Sequence, residues 1–222
     1  MILGNYCDGR WIAPKMDATF EKRNPADTRD LIGLFPESTA VETQEAVNAA
    51  RRALPSWRAL SYEARAQFLF KAADQLAGRQ REVAAALTRE EGKTLPEANG
   101  ETGRGVMILR YYAADGLRAI GEVLPSVGAT TFLYTDRAPL GVVGLITPWN
   151  FPVAIPIWKI APALIYGNTV VFKPSEHSPL TAQMLTEVFH EVGLPAGVFN
   201  LVQGGRETGK ALVEAHGLNG VS

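Results

Sequence analysis

The sequence predicts an α/β protein: a doubly wound parallel sheet, preceded by a group of helices and by a β-rich segment. Three observations predict it. From Gly141 onward, short apolar runs alternate with longer helical ones, as in GVVGLI, PVAIPIWKIAPALIYG and TVVFKP. From Thr39 to Ala119, apolar residues recur at helical spacing. Between Glu122 and Arg137, VLPSVGATTFLYTDR is rich in the β-branched and aromatic residues that favour extended structure.

Each element has its own signal. Asp8-Gly9 in NYCDGRWI is a hairpin signal, and Asn24-Pro25 separates two extended runs in EKRNPADTRDLIGLF. Thr39 and Glu42 make a T-x-x-E capping box ahead of a first helix. A second helix is expected near Tyr62 to Leu76, a third near Arg79 to Glu91 with Gly92 as its stop, and a fourth from Leu95 to Ala119. After the strand GVVGLI, the helix before Gly167 and the strand TVVFKP, LTAQMLTEVFHEVG reads as a helix, GVFNLVQ as a strand and ETGKALVEAHG as a helix. NGVS opens a further strand, and a domain seldom stops inside a buried strand, so the chain is expected to be the first part of a longer protein.

Composition bounds the function. The 222 residues, 46% hydrophobic and 20% charged, suffice for a sizeable core, and a net charge of -1 offers nothing to nucleic acid or an anionic membrane. Cys7 is the single cysteine, so an intrachain disulfide is excluded and a cytoplasmic location is the simplest expectation. The start MILGNYCDGRW does not read as a signal peptide, and no run of about 18 apolar residues predicts a membrane span. His177, His190 and His216 are too scattered for metal-ligand spacing, so no metal site is expected.

In a doubly wound sheet a dinucleotide lies at the C-terminal strand ends, here ITPWN, FKPSE and VQGGRETG. By itself the last is a loose glycine fingerprint, since Gly204, Gly205 and Gly209 do not fit G-x-G-x-x-G. The whole chain, however, resembles the N-terminal part of the aldehyde dehydrogenase superfamily. The words that carry this are NPADTRD, EEGKTLPEA, LRYYA, TPWNFP, PALIYGNTVVFKPSE and GLPAGVFNLVQGG, from Asn24 to Gly205 in the family's order and spacing. Within the family, NPADTRD, KTLPEANGET, ILRYYA and WNFPVAIPIWK are most similar to the 2,5-dioxopentanoate (α-ketoglutarate semialdehyde) dehydrogenases, while VQGGRETG resembles a stretch of succinylglutamate semialdehyde dehydrogenases.

The resemblance implies a fold and a reaction. Residues 1-121 would be hairpins and helices of the cofactor domain, 122-140 part of the oligomerisation strands, and 141-222 incomplete Rossmann-like NAD-binding βαβ units. It implies NAD-dependent oxidation of an aldehyde by a cysteine thiolate, in a homo-oligomer (dimer or tetramer), with the cysteine and the general-base glutamate falling after Ser222. Cys7, in an N-terminal hairpin, reads as a partly buried small residue and not as that nucleophile. The chain by itself is therefore expected to be inactive. The alternative is a non-catalytic NAD-binding or oligomerising module.

Residue roles follow from the same resemblance. Asn150 matches the asparagine that donates to the oxyanion formed during thiolate attack, a contribution of about 3 to 4 kcal/mol; it also reads as a turn asparagine between prolines. Lys159 matches a lysine linked to proton release, and a snorkelling lysine is the plain alternative. Lys173 and Glu176 match the K-x-x-E pair that holds the adenosine ribose, the carboxylate favouring NAD, with NADP admitted if it rotates away. An exposed strand-end ion pair is the other reading. Ile146, Thr147, Pro148, Trp149, Ser175, Gly205 and Gly209 complete the implied cofactor-binding set. Phe151, Ile155 and Trp158, at i, i+4 and i+7, match the lining of the aldehyde tunnel or else form plain core. Arg104, counted back from LRYYA, either meets the distal carboxylate of a semialdehyde or makes an i,i+3 ion pair with Glu101.

Overall fold

The computed structural model describes residues 3-118 and 121-222. Its elements are β1 (Asn5–Cys7), β2 (Arg10–Ile12), β3 (Thr19–Asn24), β4 (Asp27–Pro36), α1 (Ala40–Ala59), α2 (Tyr62–Gly78), α3 (Gln80–Glu91) and α4 (Leu95–Asp115). They continue with β5 (Val123–Leu124), β6 (Leu133–Tyr134), β7 (Val142–Ile146), α5 (Ala154–Ile165), β8 (Thr169–Lys173), α6 (Pro179–Glu191), β9 (Phe199–Leu201), α7 (Arg206–Glu214) and β10 (Gly220–Val221).

The main sheet has the order β10-β7-β8-β9-β1-β2. Strands β10, β7, β8 and β9 are parallel, as the alternation of strand and helix predicts. The chain steps from β7 through β8 to β9 and then returns to the far side of β7, so the topological switch point lies between β7 and β10. One difference from expectation is the N-terminal hairpin, which joins the same sheet antiparallel to β9, with Tyr6 opposite Leu201. Three-residue strands carry no period that would name so distant a partner. Its turn forms as read: Asp8 and Gly9 both take positive φ, 51° and 78°, the pairing a two-residue hairpin needs.

Alternation along the strands sorts the core into two layers. Val143, Leu145, Val170, Phe172, Phe199 and Leu201 belong to the cluster they share with α5, α6 and the outer helices α2, α3 and α4. Val142, Val171 and Val202 belong instead with Ala46, Val47 and Ala50 of α1 and Leu212 of α7. Both sheet faces are thus covered, which explains why the parallel strands read as continuous apolar runs. Phe172 and Phe199 are fully buried, each worth about 1.5 to 3 kcal/mol by transfer of its side chain from water.

Several helix ends follow local chemistry. The Thr39–Glu42 box forms on α1, and a second box, Thr94–Glu97, that the sequence reading passed over, starts α4. α3 stops at Gly92 in the left-handed region. α4 ends at Asp115, earlier than expected; Ala119 lies outside the described residues. β5 and β6 form the expected extended segment as a small antiparallel pair with Val123, Phe132 and Tyr134 exposed.

Helices α3, α5, α6 and α7 receive no side-chain cap from their own N-cap residues, and for α5 and α6 the cap comes from elsewhere in the fold. Two buried carboxylates from the outer helices supply it. Glu101 of α4 accepts from Val153 N at 2.8 Å and Ala154 N at 3.1 Å. Glu90 of α3 accepts from Leu180 N at 2.6 Å and Thr181 N at 2.9 Å. These donors would otherwise be orphaned in the interior, and each carboxylate sits at the positive end of a helix. Gly105 makes the α4–α5 approach close enough: a Cβ there would stand 2.8 Å from Ile157 Cδ1 and 2.9 Å from Val153 Cγ1.

Candidate active site

Three loops leave the C-terminal ends of β7, β8 and β9, and most of the residues singled out from sequence lie on them. At the end of β7, Ile146 N donates to Ser222 O at 2.9 Å and Thr147 N to Lys173 O at 3.3 Å. Thr147 Oγ1 is buried and finds no hydrogen-bond partner among the described residues. Pro148, Trp149 and Asn150 are exposed on the loop that follows. Trp149 also lines a cavity of about 300 Å³ with Lys22, Pro25, Glu90, Glu91 and His177.

Lys173, at the end of β8, is almost entirely buried, which removes the reading of an exposed strand-end pair. Its ammonium donates to Gly204 O at 2.8 Å and Gly205 O at 3.4 Å, joining the β8 and β9 loops. Glu176 Oε2 stands farther off, at 3.8 Å, on a half-exposed side chain. Burial lowers the Lys173 pKa from the ordinary lysine value, opposed by the charges of Glu176 and Glu37. Ser175 Oγ accepts from His177 N at 3.1 Å and so shapes the turn between them. Gly209 faces the lysine stem, where a Cβ would lie 3.6 Å from Lys173 Cδ.

Lys159 Nζ donates to Ile146 O at 3.0 Å, tying α5 back to the end of β7, and burial lowers its pKa. Phe151 precedes α5, and Ile155 and Trp158 lie on it; Phe151 and Trp158 are 48% and 44% exposed, so the stripe is not plain core. For Arg104 one of the two alternatives drops out. Its i,i+3 pair with Glu101 is not made, because the Glu101 carboxylate is turned inward to α5 and to Lys93. Arg104 instead sits over the Trp158 ring. Cys7 lies on β1, three strands from β7, and burial with Asp8 and Glu45 nearby pushes its thiol up to about 11.

Comparison with known proteins decides the family. The aldehyde dehydrogenase family model matches residues 11-222. The chain belongs to the aldehyde dehydrogenase family. The alpha-ketoglutaric semialdehyde dehydrogenase of Bacillus subtilis is 50% identical over 219 residues, 98% of this chain and 45% of that protein. A crystal structure described as an E. coli NADP dependent enzyme superposes with a TM-score of 0.95 at 35% identity, over 99% of this chain and 46% of the other. An NAD-dependent aldehyde dehydrogenase from Sinorhizobium meliloti gives 0.94 at 34% identity, over 99% and 44%. This aldehyde dehydrogenase chain therefore spans less than half the length of the relatives it matches.

Four charged residues of the aldehyde dehydrogenase chain have roles that the sequence did not announce. Glu101 and Glu90 hold the starts of α5 and α6. Lys93 bonds Glu101 and the carbonyl of Asn150. Glu37 accepts from Gly205 N at 2.9 Å, placing a carboxylate at the start of α7 beside Lys173. EEGKTLPEA contains two of them as part of a family word, but nothing in its spacing announces partners more than fifty residues away.

Proposed function

We propose that the full-length protein oxidises a semialdehyde such as 2,5-dioxopentanoate to the carboxylic acid with NAD. The 50% identity to an alpha-ketoglutaric semialdehyde dehydrogenase, sustained across nearly the whole chain, is the observation that carries the reading. Bound NAD would accept the hydride.

The residues at the loops suit that cofactor. Lys173, with its buried ammonium, and Glu176, with its half-exposed carboxylate, would hold the adenosine ribose. Thr147, at the switch-point end of β7, carries a hydroxyl without a partner among the described residues, and Gly209 packs beside the buried lysine stem. Glu37 and Glu176 put two carboxylates near Lys173, which disfavours a 2'-phosphate and supports NAD over NADP.

Asn150 would donate its side-chain amide to the oxygen that gains charge as the aldehyde carbon becomes tetrahedral. Phe151, Ile155 and Trp158 would line the path of the aldehyde, with Arg104 meeting its distal carboxylate. Lys159, desolvated and anchored on Ile146 O, would move a proton as product is released. The thiol of Cys7 is too remote and too basic to be the nucleophile, which we assign outside these 222 residues. Pairing of β5 and β6 with other copies, through the exposed Val123, Phe132 and Tyr134, would make the homo-oligomer.

Steady-state oxidation of 2,5-dioxopentanoate, succinic semialdehyde and uncharged aldehydes by the full-length protein tests the reading. The highest kcat/KM is expected for 2,5-dioxopentanoate with NAD, and a preference for uncharged aldehydes contradicts it.

A further inference from the structure

We propose that Lys93 is the positioning residue for Asn150, fixing the loop that presents its amide; this rests on the reading of Asn150 as the oxyanion donor. Lys93 comes off the connection between α3 and α4, and its side chain is only 13% exposed. An ammonium has three N–H donors; two are given to oxygens here, and a further carboxylate oxygen stands at ion-pair distance. Glu101 Oε2 lies at 2.5 Å, the backbone oxygen of Asn150 at 3.0 Å and Glu91 Oε2 at 3.2 Å. The ring of Phe151, the next residue along the loop, lies 4.7 Å from the same nitrogen.

The geometry makes a clamp. Glu101 uses its other oxygen, Oε1, for Val153 N and Ala154 N, where α5 begins. The β7–α5 loop is thus held at Asn150 by the ammonium and at Val153 by the carboxylate, and the ammonium–carboxylate contact joins the two points. Charge-assisted bonds of this kind, mostly buried, are short and strong. Lys93 takes the main-chain oxygen of Asn150, so the exposed side-chain amide stays available for a substrate oxygen. The clamp fixes where the amide points without spending its hydrogen bonds, the condition for preorganised stabilisation of developing charge.

The test uses the full-length enzyme and a cycle of Lys93→Met, Asn150→Ala and the double variant. Lys93→Met should lower kcat by about 10- to 100-fold, the cost of misplacing a group at the chemistry. In the Asn150→Ala background the same change should cost less than about twofold, because its effect passes through the lost amide. Equal losses in both backgrounds overturn the proposal. Should Lys93→Met not fold, owing to the unpaired Glu101, Lys93→Met with Glu101→Gln removes both charges and keeps an acceptor for α5. Hydrogen exchange gives a readout independent of activity: amides 150-154 should exchange faster in the variant while those of α1 and α7 stay as in wild type. Unchanged exchange at 150-154 overturns the clamp. An Asn150→Ala enzyme as fast as wild type sinks the oxyanion reading instead, and the exchange result then stands on its own.

Discussion

The guanidinium carbon of Arg104 lies 5.8 Å from the centroid of the Trp158 ring, and both side chains are exposed where α4 and α5 meet. The indole face steadies the cation, and a planar guanidinium can offer a carboxylate two parallel hydrogen bonds.

Arg104→Met should therefore discriminate between substrates. In the full-length enzyme it should cost about 1.5 to 3 kcal/mol in kcat/KM for 2,5-dioxopentanoate, the range for a hydrogen bond to a charged group. Oxidation of an uncharged aldehyde of equal length should be nearly unchanged. Parallel kinetics on the two substrates check this, and equal losses would assign Arg104 to the fold.

The cofactor assignment turns on Glu176, 3.8 Å from the buried Lys173. Glu176→Ser removes one of two carboxylates near that lysine and should raise the NADP-to-NAD ratio of kcat/KM by about tenfold or more. Kinetics with both cofactors decide it; an unchanged ratio would mean that Glu176 does not face the ribose.

Much of this was legible in the sequence, for a physical reason. Capping boxes, hairpin turns and buried strands are written in contiguous residues, so Thr39–Glu42, Asp8-Gly9 and TVVF announce themselves. The family words also located Asn150, Lys173 and Glu176 at or beyond the C-terminal ends of β7 and β8; their roles are proposals. The supporting charges were not legible. Glu90 and Glu101 sit in helical segments where a glutamate ordinarily faces water, and only the tertiary fold turns them onto the starts of α6 and α5. The i,i+3 alternative for Arg104 failed for the same reason: helical spacing shows which neighbour is near, but not which partner a buried carboxylate prefers.

Glu90 also predicts a pH dependence. It is fully buried, and its desolvation outweighs the bonds from Thr181 and Leu180 and the charge of Lys22, raising its pKa to about 7. A carboxyl with a raised folded pKa stabilises the fold most below its unfolded value, and that contribution is lost as pH rises through the folded one. Stability should thus fall between about pH 4.5 and pH 7, by on the order of 3 kcal/mol from this group. Glu91, Lys22 and His177 line the same cavity, so the comparison must be with Glu90→Gln, which should flatten the slope. Urea titrations across that range measure it, and identical slopes for the two proteins would refute it.

The most direct test of the central claim is the kinetics of Asn150→Ala in the full-length protein. If the amide stabilises charge that exists only at the tetrahedral stage, kcat for 2,5-dioxopentanoate should fall by about 10²- to 10³-fold while NAD affinity stays nearly intact. A loss confined to NAD binding, with kcat preserved, would show that Asn150 shapes the cofactor loop and takes no part in the oxidation.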